Sequence, residues 1–352
     1  MSFLTSISPD VALALAGGFL VSLATALNLL VMGRITSVSS MIISISRFYV
    51  NSSGLFWRIS FLLGLLNSVL FFRVYLGDTI YGIRVFDVLS SMSDLSLPQW
   101  IIGSFFIGMS TNLGGDFIVY HIICGLPRLS RRSMLGTAIV ILFGAITLSY
   151  RHSIPSFENK GIIDSQTMDT YLSFIGDSFS GVYLIYIISF GVHLISKAKK
   201  ADKIDPLFSF AIGIIFGLGF ILSGLCRRTK VIGFLNFGDN WDPTIAYSIV
   251  AMVGFNWFGF NLIFKNVTTP LLQGNFNPII DGGINMSFCI GAALFGIGWG
   301  ILGFCNAGIF MNIMLLPQAL LALIGILMGN TTMRYLMAII NSPGFRRIFI
   351  SE

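Results

Sequence analysis

The sequence predicts an all-α, multi-pass integral membrane protein, and three observations predict it. Only 10% of the 352 residues are charged while 55% are hydrophobic, against about 25% charged in an ordinary soluble domain. Mean hydropathy is +0.86. Apolar runs recur near the ~20 residues that cross ~30 Å of hydrocarbon at 1.5 Å per residue. The net charge of +6 is concentrated in short loops, as the positive-inside rule expects of cytoplasmic segments, so it does not point to nucleic acid. The first run, Val11 to Met32, is too long for a signal-peptide core and lacks a basic start, so no cleaved leader is expected. Nothing resembles a nucleotide-binding loop or a large soluble domain. ATP-driven transport by this chain alone is therefore not expected, and neither is an enzyme or a cofactor.

About nine spans follow from the apolar runs: 10–33, 54–73, 100–117, 133–150, 177–196, 206–225, 243–264, 284–304 and 314–329. Four short, half-apolar stretches follow some of them, at 35–46, 118–125, 228–237 and 306–312. Each begins at glycine, a charge or a polar residue and is too short to cross. They are expected to be re-entrant half-helices, since broken backbone is tolerated at membrane depth only inside protein or against water. In "NWDP", Asp242 reads as a helix cap with Pro243 in the first turn.

Arg128, Arg131 and Arg132 are separated by two spans from Lys197, Lys199, Lys200 and Lys203. Both clusters should share the cytoplasmic side. The loop between, 151–176, carries Glu158, Asp164 and Asp169 and should lie outside, with the protein in the plasma membrane.

The chain reads as a single membrane domain built from two repeated halves, about 10–196 and about 206–340. "GSFFIGMSTNLGGDF" at 103–117 aligns without gaps on "GAALFGIGWGILGFC" at 291–305, with glycines coinciding at 103/291, 108/296 and 115/303. Upstream, "MGRITSVSS" at 32–40 matches "SGLCRRTKV" at 223–231, and the spacing between the two markers is nearly equal in both halves. Two halves of spans plus broken helices are the layout of transporters whose site lies between repeats.

The stretch "GIGWGILGFCNAG" at 296–308 concentrates this pattern. Gly296, Gly300 and Gly303 share a helix face, where small residues let another backbone approach or a solute pass. The ending Cys305-Asn306-Ala307-Gly308 suits a helix break whose freed N–H groups can face an anion. In the first half, His121 and Cys124 stand one turn apart before a basic loop. They are the only local nucleophile and base, and no carboxylate at helical spacing orients them, which argues against an enzyme. The four cysteines, Cys124, Cys226, Cys289 and Cys305, have neither zinc nor redox spacing, so neither a metal site nor a disulfide framework is expected.

"CGLPRLSRRS" at 124–133, "LSGLCRRTKVIGFLNF" at 222–237, "NWDPTIAYSIV" at 240–250 and "GWGILGFC" at 298–305 together resemble the YeeE/YedE family of sulfur-compound transporters, best known as bacterial thiosulfate uptake proteins. The resemblance runs from about Gly17 to about Gly329. It implies an all-helical fold with short helices dipping from both faces to a narrow central path, where cysteines contact a passing sulfur anion. The partners it implies are a small sulfur-containing anion and the lipid bilayer, with a cytosolic sulfur-carrier protein as a further candidate.

The carry-over is partial. In "DFIVYHIICG", His121, Cys124 and Gly125 match the family pattern, but Phe117 stands where its first cysteine belongs. Trp299 and Cys305 are kept, yet "CNAG" replaces cysteine-proline-glycine-proline. Arg227 and Arg228 replace an aspartate-proline pair, while Lys230 remains. An asymmetric path is therefore expected, with the Cys305 thiol on one side and the Phe117 ring on the other.

The candidate path residues are Cys305, Cys124, His121, Phe117, Asn306, Trp299, Cys226, Gly300 and Gly303, with Arg34 and Lys230 as electrostatic residues at the mouths. Each also has a plainer reading: a buried small hydrophobe for the cysteines, a satisfied core side chain for His121, an interface aromatic for Trp299, packing for the glycines, and snorkelling to headgroups for the two cations. A neutral thiol is a weak hydrogen-bond donor and a soft partner for a polarizable sulfur atom. Two further functions remain open: passage of a different anion or a selenium species, because of Phe117 and CNAG, and a non-transporting membrane partner in sulfur relay.

Overall fold

In the computed structural model the described residues are 8–47, 52–77, 79–87, 95–150, 165–195, 200–238, 240–277 and 283–341. Glu158, Asp164, Lys197 and Lys199 of the topology argument lie outside them. Twelve α-helices run in chain order: α1 Pro9–Met32, α2 Val38–Ser46, α3 Ser52–Phe71, α4 Leu97–Leu113, α5 Arg131–Tyr150, α6 Ser165–Ile195, α7 Lys200–Leu222, α8 Arg228–Leu235, α9 Thr244–Asn266, α10 Met286–Leu302, α11 Asn306–Asn312 and α12 Pro317–Ile340. A π-helical segment at Phe117–Ile123 follows α4, and a two-residue hairpin pairs Thr79–Ile80 with Ile83–Arg84. The protein is an all-α, multi-pass membrane protein. Among the described residues, eight apolar helical stretches are long enough to cross, one of them running through α10 and α11 from Met286 to Asn312. The ninth expected span corresponds to α4, which at 17 residues is shorter than the ~20 a straight crossing needs.

The four short stretches read from the sequence are all separate elements: α2, the π-helical segment, α8 and α11. Each follows a glycine in the left-handed region, namely Gly33, Gly115, Gly224 and Gly303, a conformation that costs glycine little and other residues much. Asp242 accepts from the Thr244 amide at 2.9 Å, so it caps α9 from one residue further out than expected, with Pro243 as the junction.

Helix packing interleaves the chain. α1 packs against α7 and α9, and α7 in turn against α3; α4 packs against α10 and α12, and α10 in turn against α5. Glycine makes the crossings tight. A Cβ on Gly17 would lie 2.2 Å from the Ser223 backbone N, and one on Gly108 would lie 2.1 Å from the Ile326 carbonyl O. The α4–α10 crossing is reciprocal. Gly103 lies against Ile301 and Leu302, and Gly291 against Leu113 and Gly114. Tyr183 and Tyr186 of α6 reach Asn67 and Ser60 of α3, while most other α6 side chains face outward.

Candidate functional site

The short elements bring the predicted residues into the interior, tied together by buried polar groups. Asn256 of α9 accepts from Thr25 of α1 at 2.8 Å and donates to the Ile123 carbonyl at 2.9 Å. Asn28 donates to Thr36 at 2.9 Å, and the Thr36 amide lies against the Cys124 thiol. Ser248 donates to the Ser223 carbonyl at 2.7 Å, fixing the break between α7 and α8. Unpaired backbone in an apolar interior is costly, and these side chains hold the broken ends in place.

Cys305 is the N-cap of α11, with the Ala307 and Gly308 amides against its thiol. Cys226 and Cys305 lie within electrostatic reach of each other. The Cys226 sulfur is 3.5 Å from the Met311 sulfur, and its carbonyl accepts from Asn312 at 3.1 Å. Asn306 is buried, and among the described residues neither its Nδ2 nor its Oδ1 has a partner. Cys124 is likewise buried, and Arg128 Nε donates to its carbonyl at 2.8 Å. All four cysteines are free thiols, and Cys289 is the one partly exposed.

Phe117 has no exposed surface. Its ring is 5.5 Å from both Phe288 and Phe295 and 5.2 Å from the His121 ring. The Phe117 and Cys305 neighbourhoods are thus built differently, the one from aromatic rings and the other from amides and sulfur. His121 is engaged at both nitrogens, Nδ1 with Ser133 Oγ at 2.9 Å and Nε2 with the Gly114 carbonyl at 3.0 Å. Trp299 is buried between Phe295 and Phe234 rather than placed at an interface. Gly300 backs onto the Gly144 carbonyl of α5, and Gly303 makes room for the Arg228 side chain.

Arg34 and Lys230 are buried in ion pairs. Arg34 binds Asp205 and stacks on Trp57, its guanidinium carbon 3.8 Å from the ring centroid. Lys230 binds Asp10 and Asp242, the latter at 2.9 Å. Burial pushes the Asp242 carboxyl up, but bonds from Thr244 and Lys230 outweigh it and hold the group below the usual carboxylate range.

Sequence reasoning missed two carboxylates that cap short helices. Asp116 Oδ1 accepts from Val119 N at 3.0 Å, and its Oδ2 accepts from Ser39 N at 3.1 Å, so one buried side chain caps both the π-helical segment and α2. Asp87 does the same for α8, accepting from the Thr229 amide at 3.0 Å and its hydroxyl at 2.6 Å. In the sequence Asp116 is legible only as a charge inside an apolar break. Beside it, a cavity of about 230 Å³ is lined by Ser39, Ser40, Ser44, Arg47, Thr111 and Gly115 among others.

A family model described as "Family of unknown function (DUF6691)" matches residues 204–340. The chain is similar to a "Probable transporter" of Xylella fastidiosa strain 9a5c, 30% identical over 98 residues, which is 28% of this chain and 66% of that protein. A second "Probable transporter", of Xylella fastidiosa strain Temecula1, is 28% identical over 135 residues, covering 38% of this chain and 90% of that protein. The match thus spans just under two thirds of the first of these relatives. No solved structure matches the chain.

Proposed function

We propose that this chain is a membrane transporter, and that its cargo is a small sulfur-containing anion, thiosulfate first among them. The observation that carries this reading is the meeting of short helices around buried thiols. Cys226 and Cys305 lie within electrostatic reach of each other, and Asn306, next to Cys305 in the chain, has an amide with no partner among the described residues. A solute with both sulfur and oxygen atoms suits soft thiols and an unpaired amide together. Relatives described as probable transporters and the resemblance to the YeeE/YedE family support the same reading.

The two-repeat organisation belongs to this proposal. The family match at 204–340 is close to the second half read from the sequence, and the reciprocal α4–α10 crossing follows the offset of the sequence alignment. The main helix pairings also join one proposed half to the other. We place the path along Cys124, Cys226, Cys305 and Asn306, with the buried Phe117 and Trp299 rings packed behind it.

A second reading, passage of a different oxyanion, is favoured by Phe117, which puts aromatic bulk where the family pattern has a thiol. Sulfur relay is disfavoured by His121, whose two nitrogens are already engaged and so do not serve Cys124 as a base. The experiment is uptake of labelled thiosulfate in a host unable to acquire sulfur otherwise, with sulfite, sulfate and selenite as competitors. Competition by thiosulfate above the others supports the first reading, and preference for another anion supports the second.

A further inference from the structure

Beside Ser37, the N-cap of α2, a buried carboxylate from another element also accepts from the first turn, and among the described residues no cation is paired with it. Asp116 is 3% exposed, and among the described residues the ion pairs to acidic groups join Arg34, Arg227 and Lys230 to other carboxylates. Asp87 occupies the comparable place on α8 with Arg227 3.7 Å away. Asp116 has the Val119 and Ser39 amides and the Ser39 hydroxyl beside it. The titratable and charged groups around it are few. Cys124 and Cys305 lie within reach of its charge, His121 is on the same π-helical segment, and Arg128 stands beyond Cys124. Arg47 is at the other end of α2, eight residues or ~12 Å along the axis.

Two further observations point to exchange with water and with a solute. Ser39, which Asp116 holds, and Gly115, the residue before Asp116, both line the 230 Å³ cavity together with Ser40, Ser44 and Arg47. A hydroxyl-lined space of that size admits water. Asn306, buried and unpartnered, follows Cys305 at the head of α11, which packs against α2. The α2 amide held by Asp116 is therefore what an arriving anion would bind, and a tethered anion already occupies it.

We propose that Asp116 is a proton-binding site that couples anion passage to a proton, an inference that rests on the transport reading above. The carboxylate takes one proton from water in the cavity and becomes neutral, which weakens its hold on the Ser39 amide. The incoming anion then accepts that hydrogen bond without a second negative charge beside it. When the anion leaves, Asp116 returns the proton to water and recaps α2. Binding of anion and proton is reciprocal: each strengthens the other.

The test uses the purified full chain in lipid nanodiscs. Infrared titration should show a protonated-carboxyl band in the wild type that is missing in Asp116→Asn and displaced in Asp116→Glu. The Glu variant keeps the test valid if Asp116→Asn does not fold. Sodium thiosulfate, which takes up no proton itself near neutrality, is then added in weak buffer. We expect uptake of about one proton per anion bound, and an apparent Kd that weakens about tenfold per pH unit above the carboxyl's titration. Asp116→Asn should bind with no proton uptake and no such pH dependence. Absence of the wild-type band, or thiosulfate binding without proton uptake, overturns the inference and leaves the transport reading standing. Failure of thiosulfate, sulfite, sulfate and selenite all to bind overturns the transport reading itself, and the coupling with it.

Discussion

Asp116 Oδ2 lies 3.1 Å from the Ser39 amide nitrogen, 77 residues away in sequence. That contact joins the break after α4 to the start of α2, and it sets a carboxylate among the short elements that also carry Cys124 and Cys305. The chemistry of the interior is thus mixed: soft thiols, the Asn306 amide and, among the described residues, an Asp116 carboxylate held by amides and not by a cation.

Glycine at the helix crossings is required by space. Gly108→Ala would press a methyl against the Ile326 carbonyl, and overpacking of this kind costs about 1–3 kcal/mol. Gly254, in α9, has nothing within 4 Å of its Cβ position, so Gly254→Ala should change stability by less than about 1 kcal/mol. Thermal unfolding of the two variants in detergent compares them; equal melting points would refute the close crossing.

Phe117 fills a closed aromatic pocket. Phe117→Ala should lose about 3–5 kcal/mol, as expected of a large buried ring replaced by a methyl group. A loss near zero in denaturant unfolding would mean that the ring borders open space instead.

Thiol reactivity should follow burial. Cys289 is partly exposed and the other three thiols are buried. A small membrane-permeant maleimide should label Cys289 first, with Cys124, Cys226 and Cys305 reacting slowly until the protein is denatured. Mass spectrometry of the labelled peptides reads the order, and early labelling of Cys305 would contradict its enclosure by α11.

Acid should weaken the anchor at the start of α9. Asp242 titrates below the usual range in the folded protein, so its contribution is present above the unfolded value of about pH 4 and lost as pH falls through the folded value. Asp242→Asn should flatten the melting-temperature profile in that acidic window. Lys230→Met, by removing a bond that favours the carboxylate, should move the loss to higher pH. An unchanged profile in both variants would contradict the role assigned to the Lys230–Asp242 pair.

Much of the fold was legible because lipid imposes length and glycine imposes breaks. The apolar runs located the long helices, and Gly33, Gly115, Gly224 and Gly303 marked where the short ones begin. Asp242 was recognisable as a cap because its partner is two residues away. Asp10, Asp87 and Asp205 were not, since their partners are 220, 142 and 171 residues distant. Arg34 and Lys230 looked like cations free to gather anions for the same reason. Gly300 and Gly303 could have bordered a path or a packed helix, and only the positions of α5 and Arg228 distinguish the two.

The central claim is transport of a small sulfur-containing anion past Cys305. Its most direct test is uptake of labelled thiosulfate into proteoliposomes holding the purified chain, with Cys305→Ala alongside. Saturable uptake is expected of the wild type and a rate reduced at least tenfold in the variant, with both proteins equally folded. No uptake of thiosulfate, sulfite, sulfate or selenite by a correctly inserted wild-type chain would contradict it.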